Sequence, residues 1–306
     1  MSNLKDIKQR IKSIQNTKKI TQAMKMVAAA KVKKAENAVK SARPYSQSIR
    51  DAFAKVLKSS PSFDASSMKF AHSIENYPEL MKHREINTVG ILLITSDKGL
   101  AGAYNANLVR RTTQRIKELK SEGKDVKLFI VGQKGFVALK RVVEKENVEI
   151  LGTYTKLPPL ITVSNANVIA EDIAHSYVEA QIDKIEIITT RFKSMLSFVV
   201  ENWDILPVLA VEGENKHELE PEMMFEPSSE EVLKKIVPMY VSNSVYQALL
   251  EASASELASR MAAMSNASTN ADDMIRSLTV DYNKARQAAI TQEISEVVSG
   301  ADALKG

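Results

Sequence analysis

Two stretches free of glycine and proline, one at each end of the chain, limit its fold more than any other feature. Residues 1–43 contain neither residue, and the 61 residues between Pro238 and Gly300 contain neither. Gly and Pro are the strongest helix breakers, so both stretches can run as unbroken helix. At 1.5 Å per residue the first reaches roughly 65 Å and the second roughly 90 Å. A helix of that length cannot bury an apolar stripe on itself, so each needs a partner.

The stripes are there. In the first stretch Leu4, Ile7, Ile11 and Ile14 follow a 3-4-3 spacing. The phase is expected to slip at Asn16-Thr17-Lys18-Lys19 and to resume at Ile20, Met24 and Val27 before the run Ala28-Ala29-Ala30. A kink is expected at Pro44, with the pattern continuing through Ile49, Phe53, Val56 and Leu57. In the second stretch the seam reads Leu257, Met261, Met264, then Ile275, Leu278, Tyr282, Ala285 and Ala289, with Ile294 and Val297 extending it. That is a heptad-like seam. Many seam positions are Ala or Met, which allow close and adaptable packing. Helix period alone favours a homodimeric coiled coil. Two such helices in one chain equally allow an intramolecular antiparallel pair.

The middle of the chain changes period. Residues 87–95 read as a buried strand, followed by the turn Ser96-Asp97-Lys98-Gly99-Leu100-Ala101-Gly102 and a helix near 103–120. A strand at 126–131, helices near 133–145 and 165–180, and strands at 185–189 and 196–200 follow. Alternating strand and helix predict an open, mostly parallel, Rossmann-like α/β sheet. The expected organisation is a coiled-coil shaft from 1–60 and 232–306, an α/β foot over 86–211, and irregular connections at 61–85 and 212–231.

Composition excludes several kinds of chemistry. There are no cysteines, so disulfides, thiolate metal sites and thiol nucleophiles are out. The four histidines, His72, His83, His175 and His217, are scattered and form no HExxH pair. Gly99 and Gly102 follow a strand and precede a helix, as in a phosphate loop, but neither GxGxxG nor GxxxxGK[ST] is present. A structural βα turn is the simpler reading, and a nucleotide-binding α/β protein with coiled-coil arms is the alternative. Adjacent carboxylates at Asp272-Asp273 diverge by about 100° on a helix, which suits a solvated face better than an acid/base pair. His175 reads as a surface residue. No cofactor or metal is expected.

No apolar run approaches the roughly 18 residues of a membrane span. Met1 to Arg10 lacks the apolar core of a secretory signal. Charge is segregated: residues 1–43 carry twelve Lys/Arg against two acidic residues, while 239–299 carry four against seven. A basic end suggests an acidic partner. Lys18, Lys19, Lys25, Lys31, Lys33 and Lys34 crowd the first helix, but no aromatic residue interleaves them. Aromatics are 6% of the chain overall, so a nucleic-acid platform is not expected.

Four ordered motifs carry a resemblance. Residues Asn16 to Ala29 (NTKKITQAMKMVAA) resemble the N-terminal helix of the gamma subunit family of F-type ATP synthases. Ser96 to Gly102 (SDKGLAG) resembles that family's first βα turn. Ser255 to Met261 (SELASRM) and Ile290 to Ala301 (ITQEISEVVSGA) are similar to its C-terminal helix and signature. Ala101 stands where many relatives place a Cys, and no Cys-bearing regulatory insert is present, so dithiol control is not expected.

The resemblance implies an antiparallel coiled-coil shaft inside a ring of alternating alpha and beta subunits, one copy per complex. The foot would sit on the membrane-embedded c-ring beside the epsilon subunit. It further implies a non-catalytic subunit that couples hydrogen ion transport to ATP synthesis in the beta subunits, peripheral to the cytoplasmic face of a bacterial inner membrane. Residue by residue, Lys18, Lys19, Met24 and Lys25 match positions facing an acidic helix-turn-helix of beta. Arg286, Gln287, Thr291 and Glu293 match positions meeting the beta catch loop. Met223, Met224, Phe225 and Glu226 match the stretch near the c-ring and epsilon.

Overall fold

The structure is a computed structural model that describes residues 4–58, 77–81, 84–158, 160–208, 226 and 229–303. In chain order these form α1 (Leu4–Lys58), α2 (Tyr77–Met81), β1 (Thr88–Ile94), α3 (Tyr104–Ser121), β2 (Asp125–Val131), α4 (Gln133–Glu146), β3 (Glu149–Tyr154), α5 (Val163–Val178), β4 (Lys184–Ser194), β5 (Ser197–Leu206) and α6 (Ser229–Ala303). Two compact units result, Met1–Ala30 with Arg260–Gly306, and Lys31–Ser259. Each long helix contributes to both.

The larger unit is built on a five-stranded sheet of order β3-β2-β1-β4-β5. β1, β2, β3 and β4 are parallel, and β5 returns antiparallel to β4. Strand residues alternate between two cores, as a period of two requires. Val89, Ile91 and Leu93 of β1 join Val126, Leu128 and Ile130 of β2 under α3 and α4. Leu92, Ile94, Phe129, Ile185 and Ile187 face the other way, towards α5 and the parts of α1 and α6 in this unit. There the two long helices run antiparallel, since Arg43 meets Glu251 while Ser46 meets Gln247.

The strands and helices fall where the sequence pattern places them, with two omissions: the short α2, inside the stretch expected to be an irregular connection, and β3. β3 is an edge strand with no fully buried residue, and its EILGTY sequence alternates too weakly to announce itself. The kink expected at Pro44 does not end α1, and Pro238 likewise sits inside α6.

The open face of the sheet is stapled by charge. Glu186 of β4 is buried, yet accepts from Arg115 of α3 at 2.9 and 2.7 Å and pairs with Lys184 at 3.1 Å. Burial alone pushes its carboxyl up, but Arg115 and Lys184 outweigh that and hold it below the usual carboxylate range. A carboxyl lowered in the folded state binds its proton more readily when unfolded. Its stabilisation is therefore present above about pH 4.5 and lost as pH falls through the lowered value. Arg115→Met leaves this buried carboxylate with Lys184 alone and is expected to cost about 3 kcal/mol, read by urea unfolding at pH 7. The difference from wild type should shrink in acid; a pH-independent difference would contradict it.

Candidate functional site: the exposed faces of the long helices

In the smaller unit the inward residues of α1 keep a 3-4 alternation through Leu4, Ile7, Ile11, Ile14, Lys18 and Thr21, then take one shortened step of three to Met24 and one of four to Ala28. Those of α6 read Met261, Met264, Ser268, Ala271, Ile275, Leu278, Tyr282, Ala285 and Ala289. Spacing of 3.5 residues is the coiled-coil period. This corrects the expected phase slip. The seam continues through polar Lys18 and Thr21, and Ile20 and Val27 lie outside it, 60% and 56% exposed. Lys18 reaches Asp272 across the seam, so Asp272 is half-buried rather than on a solvated face. Asp273 pairs only loosely with Arg276, at 3.9 Å.

The seam also ends earlier than expected. Lys18 meets Asp272. Fourteen residues back from Lys18 is Leu4, and fourteen on from Asp272 is Arg286. From Ile290 to Ala301 every residue is exposed, including Ile294 and Val297, which do not extend the seam. Ile290, Ile294, Val297 and Val298 instead form an i, i+4, i+7, i+8 apolar stripe with no cover among the described residues.

Of the residues singled out from the sequence, Lys19 and Lys25 are exposed and Met24 is half-buried beside them. Met26, 67% exposed, joins Ile20 and Val27 in the same cationic and apolar region. Sequence reasoning missed these three as surface; carrying the 3-4 alternation unbroken from Leu4 would have found them. Arg286, Gln287, Thr291 and Glu293 are all exposed on α6. Thr291 Oγ1 donates back to Gln287 O at 2.9 Å. Met223, Met224 and Phe225 lie outside the described residues, and Glu226 is exposed. His175 is exposed beside Glu179, at 3.3 Å.

The β1–α3 turn packs beside the start of α4 and supplies its cap. An anion loop offers open N–H groups at a helix start. At α4 these are taken: Gln133 N donates to Asp97 Oδ1, Lys134 N to Ser96 O and Gly135 N to Thr95 Oγ1. Asp97 also accepts from Lys156 N, so a carboxylate occupies the place of an anion. α6 meets the turn at its one buried residue, where Ser259 Oγ donates to Ala101 O at 2.6 Å, while Leu100 and Gly102 stay exposed. Below it Tyr104 is fully buried, and burial with the nearby Glu256 charge raises its hydroxyl pKa strongly. The SDKGLAG and SELASRM motifs therefore meet each other.

The described residues thus comprise an α/β body and a two-helix coiled coil whose outer faces are apolar and charged. The comparisons agree. The family model described as ATP synthase matches residues 3–304. The ATP synthase gamma chain of Gloeothece citriformis is 41% identical over 99% of this chain and all of that protein. That of Nostoc punctiforme is 40% identical over 99% of this chain. The central stalk and c-ring structure of the Tetrahymena thermophila mitochondrial ATP synthase aligns with a TM-score of 0.57 at 28% identity, over 81% of this chain and 99% of that one. A chain of the Euglena gracilis mitochondrial enzyme has the same fold, with a TM-score of 0.67 at 17% identity over 98% of this chain and 94% of that one. This chain belongs to the ATP synthase gamma chain family.

Proposed function

We propose that this chain is the central stalk of a rotary ATP synthase, a subunit without chemistry of its own that couples ion flow to conformational change in the catalytic ring. The observation that carries this reading is the outer face of the coiled coil. Fourteen helical residues follow Ala289, among the described residues no helix packs on them, and an isolated helix that short is marginal in water. A protein sleeve around it would supply the missing cover. Ala, Ser and Met give the arm low relief, which suits turning against a surface without deep interlock. Lys19 and Lys25 would act on acidic loops within about a Debye length, roughly 8 Å.

The partners follow from this reading: an alpha and beta ring around the arm, with epsilon and the c-ring at the body, one copy of this chain per complex. Among the described residues no helix is long and apolar enough to cross a membrane. Membrane association would then be peripheral, through the c-ring, at the cytoplasmic face of a bacterial inner membrane.

The experiment is reconstitution with matching alpha and beta subunits, measuring assembly and ATP hydrolysis with and without this chain. Turnover that requires the chain supports the reading; assembly or turnover indifferent to it sinks the reading. Within that complex Arg286→Ala and Gln287→Ala are each expected to slow turnover about three- to tenfold, the scale of losing one contact of about 1 kcal/mol or a little more. Both residues are exposed, so the stability of the isolated chain should stay within about 0.5 kcal/mol of wild type. Normal turnover in both variants would remove the contact assignment.

A further inference from the structure

β4 outruns its neighbour. Its last residue paired with β1 is Ile188, opposite Leu93, yet the strand continues to Ser194. Past that point its backbone polar groups need partners other than β1. At Phe192 the two long helices provide them. Phe192 N donates to Glu251 Oε2 at 2.8 Å, and Phe192 O accepts from Arg43 Nη2 at 2.8 Å. Arg43 closes the triangle, with Nε donating to Glu251 Oε1 at 2.9 Å and Nη2 to Oε2 at 3.0 Å.

The network extends along both helices. Glu251 is fully buried, and Gln247 Nε2 donates to its Oε1 at 2.9 Å. Ser46 donates to Gln247 Oε1 at 3.3 Å and accepts from Asn243 Nδ2 at 2.9 Å. Around it the packing is small and apolar: Val39, Leu250, Ala254 and the Phe192 ring. Such packing is non-directional and resists sliding or rotation of a helix only weakly. A two-pronged guanidinium–carboxylate contact is directional, and here it is tied to a strand backbone at both ends. Glu251 is buried but the Arg43 side chain is 42% exposed, and neither buried nor exposed ion pairs are large sources of net stability, so orientation is the better account of this one.

We propose that Arg43 and Glu251, closed on the Phe192 backbone, form a torque key: positioning residues that fix both long helices to β4 in rotation and in register. The inference rests on the stalk reading, because only a chain that transmits torque needs such a key. Under load, twist passing between sheet and helices would cross these hydrogen bonds before it reached the apolar packing.

The test uses the assembled complex with alpha and beta subunits fixed to a surface. The chain has no cysteine, so Lys145→Cys, at an exposed position on α4, gives a unique attachment for a bead. The angular spread of the bead during a stalled pause measures torsional stiffness. Arg43→Lys keeps the charge but cannot make the two-pronged contact, and should widen the angular variance about twofold. Glu251→Gln should do the same. Lys40→Ala, which removes only a surface pair with Glu36 on the same helix, should leave it unchanged. Unchanged variance in Arg43→Lys overturns the key even if melting temperature falls, because the network then only holds the fold. Should Glu251→Gln fail to assemble, Arg43→Lys decides alone. If the wild-type bead does not rotate with ATP, the stalk reading itself fails and the key fails with it.

Discussion

Gly132→Val is expected to leave the α/β body unable to fold. Gly132 joins β2 to α4 at φ 92° and ψ 136°, a region nearly closed to residues with a side chain. A Cβ there would stand 2.3 Å from the carbonyl oxygen of Thr95 and 2.7 Å from its Oγ1. Thr95 cannot retreat. Its N–H and Oγ1 both donate to Val131 O at 2.8 Å, and Oγ1 accepts from Gly135 N at 2.9 Å. Backbone strain of about 1–3 kcal/mol adds to hydrogen bonds broken by any escape, each about 1 kcal/mol. A total of about 4 kcal/mol or more is a large share of a domain's stability. The check is urea unfolding followed by far-ultraviolet circular dichroism. Gly123→Ala is the contrast: φ is also positive, at 76°, but nothing lies within 4 Å of the new Cβ, so the cost should stay near about 1 kcal/mol. A Gly132→Val chain within about 1 kcal/mol of wild type would show that the turn tolerates a side chain.

How far the molecule could be read from its sequence varies with the physics of each part. The parallel strands were legible because β1, β2 and β4 are buried on both faces and so read as continuous apolar runs. β3 was not, because an edge strand with half-buried residues needs no such run. The seam of α1 misled at Lys18 and Thr21, where hydrophobicity and geometry part company. A long Lys can lay its stem in the seam and place its charge on Asp272, so the period continued while the apolar signal lapsed. Ile20 and Val27 then looked like core although they are surface. The end of the seam depends on which residue of α6 faces Leu4, a register no single helix encodes. The network at Glu251 joins residues 208 apart and carries no local signature at all. The turn at Gly99 was legible as a βα turn. That Asp97 in this turn caps α4, and that Ser259 reaches Ala101 from the far end of the chain, are long-range contacts with no local signature.

Ala271→Pro is expected to leave the body folded and to abolish coupling in the complex. Ala271 is buried in the seam of the smaller unit, immediately before Asp272, which pairs with Lys18. Proline there removes the hydrogen bond to the carbonyl four residues back and drives its ring against that carbonyl, at a cost of about 3 kcal/mol. Pro44 and Pro238 are already tolerated inside α1 and α6, but both belong to the larger unit, where the helices also pack on the sheet and other contacts hold their course. Residues 4–30 and 260–303 have only each other, and neither stretch contains proline. A kink there would shift every exposed side chain beyond it, Arg286 and Gln287 included. Misplacement by about 1 Å can cost a site about a hundredfold, so turnover should fall at least tenfold, with ATP-driven ion pumping lost. Ala271→Gly separates flexibility from the kink: it costs about 1 kcal/mol, keeps the backbone hydrogen bond, and should retain most of the turnover. Ala271→Pro complexes that pump as wild type would mean that the arm need not be a continuous helix. The absence of Pro from these stretches would then have no mechanical meaning.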